Sequence, residues 1–331
     1  MGSKQSLLPF IADCLKLEGI EYENVLDAFS GTTCVAYMFK KLGKQVHAND
    51  FLNFCYHTAN ATIANNDFTL TNKDITALLK ENPKGSNFIR DTFRTLYFTE
   101  KDSQFLDNLR ANINELRNPF KKSLILASIT RACMKKRPRG IFTFTGKKGW
   151  DGRKDLKLNL EDHFINACKL YNAAVFNNGK TNNAFNEDVF DIDPQNYDLV
   201  YIDTPYISPY SDCDYVRRYH FVEGYCRNWQ GLQIITDSTT KKFKSYPTAF
   251  SSQRTATESF LRLFDHFRRS ILVVSYSSNC LPQKEEMIQL LKNFKRKVRC
   301  CERDHKYCFG NHSHRVGNNN NQVKEYVFIA R

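Results

Sequence analysis

The chain has 331 residues, with 48 Lys and Arg against 35 Asp and Glu, a formal net charge of +13 and a sequence pI near 9.2. A balance of that sign points to a polyanionic partner rather than an acidic protein surface. No leading apolar segment and no run of eighteen apolar residues occurs, so export and membrane spanning find no support and a cytoplasmic location is expected.

From the amino terminus, the first informative stretch is Val25-Leu26-Asp27-Ala28-Phe29-Ser30-Gly31-Thr32-Thr33-Cys34. It reads as a short buried strand, a small-residue turn and the start of a helix, an arrangement that cradles a nucleotide-like cofactor at the helix start. Val35, Phe39 and Leu42 continue at helical spacing, and Gly43 stops the helix before a second strand, 45–50, ends in Asp50. An acid about twenty residues beyond the turn is where a crossover sheet places a carboxylate on a ribose hydroxyl pair.

Between residue 66 and about 180 no cofactor signature occurs, and the pattern is mostly helical, as in 105–109 and 124–129. Twelve Lys or Arg stand against two acids from 121 to 157, including Lys135, Lys136, Arg137, Arg139, Lys147 and Lys148. Phe142, Phe144 and Trp150 are interleaved with these charges, so the run reads as a phosphate-tracking surface rather than a merely solvated face.

The sheet pattern resumes near Ala184, and the apolar run 197–202 then ends abruptly in Asp203-Thr204-Pro205-Tyr206. A carboxylate there can accept a hydrogen bond from an exocyclic amino group, the turn can aim a backbone carbonyl at the second amino hydrogen, and the Tyr ring can stack on a base. The implied ligand is an extruded nucleobase. Further strands are expected at 271–276, 297–302 and 325–330, with helices at 259–267 and 284–291 between them, which argues a mixed α/β sheet. The eleven cysteines lie singly apart from Cys300-Cys301 and form no Cys-x-x-Cys pair, so they read as reduced core residues rather than zinc ligands. His312 and His314 read as part of a polar loop, as does 318–321 beside Gly317, and no metal is expected.

In order, these segments resemble the alpha group of S-adenosylmethionine-dependent DNA adenine N(6) methyltransferases, which includes Dam-like and restriction-associated enzymes. Gly2-Ser3-Lys4 with 7–11 is similar to the family's amino-terminal motif, Asp27 to Thr33 to its Phe-x-Gly-x-Gly loop, Asn186-Glu187-Asp188 to its third cofactor motif, and Asp203 to Tyr206 to Asp-Pro-Pro-Tyr. Residues 215–225, 272–279 and 324–329 resemble its later helix and core strands. Thr33 stands where the loop's second glycine would be, which leads to the expectation of ordinary backbone angles there. Thr204 stands where the first proline would be, and only the carbonyl of that position is needed.

The resemblance implies a Rossmann-like class I methyltransferase sheet formed by 1–66 and 180–331, with a mainly helical target-recognition domain inserted at 67–179. It implies methyl transfer from S-adenosylmethionine to the N6 amino group of a flipped adenine in double-stranded DNA, as in the modification enzyme of a restriction-modification system. A monomer is expected, with a cognate restriction endonuclease as a candidate partner. Catalytic roles fall to Asp203, Thr204, Pro205 and Tyr206. Cofactor contacts fall to Lys4, Asp27, Phe29, Ser30, Gly31, Thr32 and Thr33, with Asp50 on the ribose and Asp188 on the cofactor's adenine amino group. Arg217, Arg218, Tyr219 and His220 join the basic residues of the insert as DNA contacts.

Rival readings differ in what they require. A nicotinamide dehydrogenase needs the later glycines of Gly-x-Gly-x-x-Gly, which the loop lacks. A noncatalytic DNA-binding protein has no use for Asp203, Pro205 and Tyr206 beside a cofactor loop. Cytosine-N4 and RNA methylation stay closer; the first usually carries Ser at the Asp203 position, and the second is opposed only by the resemblance.

Overall fold

Short aliphatic runs buried on both faces form a seven-stranded sheet in the order β3-β2-β1-β4-β5-β7-β6. A computed structural model gives this architecture and describes residues 4–146, 152–207, 214–246, 248–250, 253–306 and 322–331. The strands are β1 (Asn24–Asp27), β2 (Gln45–Asn49), β3 (Asn183–Phe185), β4 (Leu199–Ile202), β5 (Ile271–Ser277), β6 (Val298–Lys306) and β7 (Gln322–Ala330). The first five run parallel; β7 is antiparallel to both β5 and β6. The sheet is therefore mixed, in agreement with the expected α/β class. Strand order reverses between β1 and β4, and in open α/β sheets ligands bind outside the carboxyl ends of strands at such a point.

The two-residue period of the strands divides the core. Val25, Leu199, Tyr201, Val273, Val327 and Ile329 face one side, where α1 (Leu8–Leu17) and α2 (Cys34–Lys41) bring Ile11, Val35 and Phe39 against them. Gly43 follows α2 with φ +76°, as a helix stop requires, and leaves Leu42 exposed rather than on the apolar face. After β2, α3 (Asn53–Ala59) runs into a π-helical turn, Asn60–Ala64, where the chain leaves the sheet. The fully buried Lys40 ammonium donates to the carbonyls of Thr62 (3.2 Å), Ile63 (2.9 Å) and Asn65 (2.9 Å), joining α2 to this turn. Burial pulls its pKa down to about 8.

A helical layer follows, comprising α4 (Asn72–Leu78), α5 (Phe88–Phe93), α6 (Glu100–Asn114), α7 (Pro119–Lys135), α8 (Lys154–Lys157) and α9 (Leu160–Ala174). Capping boxes Thr71/Asp74 and Thr99/Asp102 start α4 and α6, while Asn118 and Asn159 cap α7 and α9. Residues 123–130 of α7 are buried on every side, which makes α7 the central helix of the layer.

This layer draws on more of the chain than the expected 67–179. After β4, α10 (Tyr215–Arg227) and the segment beyond it return to the same core, with Val216, Phe221, Tyr225, Trp229 and Phe243 packed among Leu106, Leu124, Ile129 and Phe142. Gly224 lies inside α10 because a Cβ there would stand 2.4 Å from Trp229 Nε1. The chain then returns to the sheet, where α11 (Ala256–His266) and α12 (Lys284–Lys292) cover the second face with Phe260, Leu263, Met287 and Leu291 on Leu26, Val200, Leu272 and Phe328.

Candidate active site

Two loops meet at the strand-order reversal, one from β1 and one from β4. Asp27 pairs in register with Tyr201, so Asp203 stands two residues further along the neighbouring strand on the same face. That face is also the one on which α1 and α2 pack.

The β1 loop is braced by backbone and carboxylate bonds. Ser30 N donates to the Asn49 carbonyl at 2.8 Å, and Thr33 N to the Ser30 carbonyl at 2.6 Å. Asp50, just past β2, accepts from Gly31 N (2.8 Å) through one oxygen and from Leu52 N (2.9 Å) through the other. Burial raises its pKa to about 6 against those two donors. Phe29 packs edge-on to Phe250, and Thr32 is exposed. Asp188 is exposed beyond β3, where its carboxylate accepts from Phe190 N at 3.1 Å. Sequence reasoning passed over Asn49. This buried side chain ties the Ala28 carbonyl (3.3 Å) to both backbone groups of Glu187, and so carries the β3 loop to the cradle.

Thr33 corrects the expectation of ordinary angles. It lies in the left-handed region at φ +62° and ψ +10°, buried at the start of α2, with Gly31 also positive at +49°. The turn imposes the geometry that a glycine would adopt freely, and a β-branched residue accepts it at a cost of about 1–2 kcal/mol. Its hydroxyl donates to the Thr32 carbonyl at 2.7 Å and lies 3.4 Å from the Thr62 hydroxyl of the π-helical turn, contacts that offset part of the strain.

Asp27 accepts from Ala36 N at 3.0 Å through Oδ2, while its Oδ1 and the Ser30 hydroxyl are buried without a hydrogen-bond partner. Orphaned polar atoms at the cradle floor are what a polar ligand would satisfy. Burial, then the neighbouring Asp203 carboxylate, pushes the Asp27 pKa up to about 8. A carboxyl raised on folding binds its proton more tightly in the native state, so its contribution falls as pH rises between the unfolded value near 4 and about 8. Ligand-free Asp27→Asn is therefore expected to lose stability less steeply than wild type from pH 5 to 8, as read by denaturant unfolding. Parallel profiles would place the proton elsewhere.

At the end of the fully buried β4, Asp203 is one-fifth exposed. Lys4 Nζ lies 3.3 Å from Asp203 Oδ1 and 3.4 Å from Glu325 Oε2, and it donates to the Tyr206 hydroxyl. That hydroxyl in turn lies 3.3 Å from Glu325 Oε2. Burial raises the Asp203 pKa, Lys4 opposes the rise and Glu325 adds to it. Burial pulls the Lys4 pKa down, yet the two carboxylates outweigh it and hold the ammonium above its ordinary value. Thr204 is buried with its hydroxyl unpartnered, and the Tyr206 ring rests edge-on against Tyr276. Lys4, expected at the cofactor, thus stands at the β4 turn. Glu325 did not figure among the expected site residues, although the period of β7 places it in the buried phase with Val323, Val327 and Ile329.

Several expected DNA contacts lie elsewhere. Tyr219 and His220 are buried in the helical core, and the His220 ring lies 3.0 Å from the Tyr97 hydroxyl and 3.2 Å from the Phe142 carbonyl. Burial pulls its pKa down to about 4, and neither ring reaches the surface. The reason is the face of α10 they occupy, which packs on α3 and α5 to α7. Arg137 is likewise buried, donating to the carbonyls of Tyr97 (3.2 Å), Phe144 (2.6 Å) and Gly146 (3.3 Å). Lys136 donates to the Leu158 carbonyl, and Lys135 faces Asp155 at 3.5 Å. Arg139 and Arg217 are exposed and Arg218 is half-exposed over Tyr215. The Phe142 N to Arg218 carbonyl bond (2.9 Å) brings the basic segment beside the start of α10. Lys147, Lys148, Trp150, His312, His314 and 317–321 lie outside the described residues. Among the described residues no group of three or more His, Cys, Asp or Glu is placed to hold a metal, and no helix is long and apolar enough to cross a membrane.

Comparison with known proteins gives a consistent result. The family described as D12 class N6 adenine-specific DNA methyltransferase matches residues 1–224. The Type II methyltransferase M2.HphI of Haemophilus parahaemolyticus is 30% identical over 328 residues, covering 93% of this chain and 90% of its own length. Modification methylase StsI of Streptococcus sanguinis is 28% identical and Type II methyltransferase M.FokI of Planomicrobium okeanokoites 25%; the matches cover 89% and 88% of this chain but only 46% of each relative.

Proposed function

The chain belongs to the D12 class of N6 adenine-specific DNA methyltransferases, and from that premise we propose that the β4 turn receives an extruded adenine while the β1 loop holds S-adenosylmethionine. Methylation of the adenine amino group in DNA is the activity of this class, which sets aside the cytosine-N4 and RNA readings. The observation that carries the site assignment is the juxtaposition at the strand-order reversal. Asp203 and Asp27 share a face on adjacent strands, one beside Lys4 and Tyr206 and the other at the floor of a loop with orphaned polar atoms.

Asp27, Phe29, Ser30, Gly31, Asp50 and Asp188 would hold the cofactor, which supplies an electrophilic methyl group when bound. The rest is positioning and electrostatics. The adenine amino nitrogen is a poor nucleophile because its lone pair is delocalised into the ring. Hydrogen bonds from that amino group to the Asp203 carboxylate and the Thr204 carbonyl favour a more tetrahedral nitrogen with an available lone pair. Pro205 fixes the turn, and stacking on Tyr206 contributes about 1–3 kcal/mol toward the few kcal/mol that unpairing costs.

The substrate is double-stranded DNA, bound by a surface that includes Arg139, Arg217 and Arg218, and the protein is a monomer in solution. Likeness to Type II and modification methylases supports a place in a restriction-modification pair, with a cognate endonuclease as partner. The test is direct: purified protein, S-adenosylmethionine and duplex DNA, followed by nucleoside digestion. N6-methyladenine is the expected product, with cofactor binding measurable by calorimetry in the absence of DNA. Methylated DNA without detectable binding of cofactor to the free protein would show that the β1 loop is completed only by the substrate.

A further inference from the structure

Glu325 stands on β7, on the sheet face that the amino-terminal elements cover, where it is 1% exposed and shares one ammonium with Asp203. Burying a carboxylate is costly unless it is paired, and pairing with Lys4 and Tyr206 satisfies this one. A strand that needed only core packing would carry an aliphatic residue between Val323 and Val327. We propose that Glu325 is a positioning residue for methyl transfer: it anchors the Lys4 ammonium against Asp203 and Tyr206 and adds a second buried carboxylate to the centre. The inference rests on the assignment of Asp203 to the target base and extends it to two residues from opposite ends of the chain.

The chemistry gives that second carboxylate a use. Transfer forms the N6–methyl bond as the sulfur–methyl bond breaks, the electron pair staying on sulfur as a neutral thioether and the surplus N6 proton leaving to solvent. Positive charge therefore builds on the nitrogen beside Asp203. A second carboxylate beside the Asp203–Lys4 pair favours that charge. Lys4 in turn opposes the rise that burial and the Glu325 carboxylate impose on the Asp203 pKa, and so favours the ionised form that accepts from the amino group.

The test is a double-variant cycle read by single-turnover rate, with saturating S-adenosylmethionine and enzyme in excess over DNA. Glu325→Gln, of the same shape, is expected to slow transfer about ten- to a hundredfold, with dissociation constants for cofactor and DNA within several-fold of wild type. Because Lys4 and Glu325 act as one unit, Lys4→Met combined with Glu325→Gln is expected to be no slower than Lys4→Met alone, within about threefold. Multiplying losses, a wild-type rate in Glu325→Gln, or a rate loss matched by lost binding would each overturn the proposal. Should Glu325→Gln fail to fold, Lys4→Met reads the same unit from the amino-terminal turn, and a wild-type rate there overturns it equally. Asp203→Ala separates the two levels: an active variant sinks the site assignment, whereas an inactive one beside a fully active Glu325→Gln sinks only this inference.

Discussion

Asp203→Ala is expected to lower methyl transfer by about a thousandfold or more while S-adenosylmethionine affinity stays within several-fold of wild type. The expectation follows from where the carboxylate points. Its bonded neighbour is Lys4, on the β4 side of the reversal, whereas the orphaned groups of the β1 loop, Asp27 Oδ1 and the Ser30 hydroxyl, lie on the other side. Removing the carboxylate removes the acceptor for the amino group and the charge that balances a cationic nitrogen, and both matter only in the transition state. It also leaves Lys4 with Glu325 and Tyr206 as partners, so the fold is expected to survive and melting to shift little. Single-turnover kinetics with titration calorimetry decides the matter. Equal losses in rate and cofactor binding would mean that Asp203 belongs to the cofactor, not to the base.

Arg137→Ala is expected to act on stability, not on the electrostatics of DNA binding. Three carbonyls, from Tyr97, Phe144 and Gly146, converge on this guanidinium, and its burial lowers its pKa to about 10. Truncation leaves buried acceptors unpaired and opens a cavity the size of a long side chain, together about 3 kcal/mol or more. In a protein of this size that lowers the melting temperature by several degrees. Below the transition, the slope of log affinity against log salt concentration is expected to match wild type. Arg139→Ala is expected to do the reverse, leaving melting unchanged, and it and Arg217→Ala are each expected to lower the slope by roughly one phosphate contact. A reduced slope in Arg137→Ala with normal melting would restore that residue to the DNA surface.

Much of the sheet was legible because period-two burial is a local signal. The strands expected at 271–276 and 325–330 appear as Ile271–Ser277 and Gln322–Ala330, and the turn after β2 falls at Asp50. The β4 turn was legible for the same reason, since an apolar run that stops at a carboxylate must deliver it to an edge. Side-chain destination was not. Arg137, Tyr219 and His220 carry the composition of a DNA surface, and only the packing of α10 on the helical layer shows that they face inward. Thr33 misled because propensity favours ordinary angles for a β-branched residue, whereas a turn fixed at both ends by Asp50 and Ala36 leaves it no such choice. Glu325 was missed because it meets Lys4 and Tyr206, contacts far along the chain that no local pattern encodes.

The return of α10 to the helical core bears on how the helical layer is exchanged between members of the class. A graft of 67–179 alone would strip Tyr225, Trp229 and Phe243 of their neighbours and seat a foreign helix bundle on a mismatched bed. A workable chimera has to carry 215–246 along with it, and its first splice belongs beyond Asn65, so that the host's Lys40 keeps its three carbonyls.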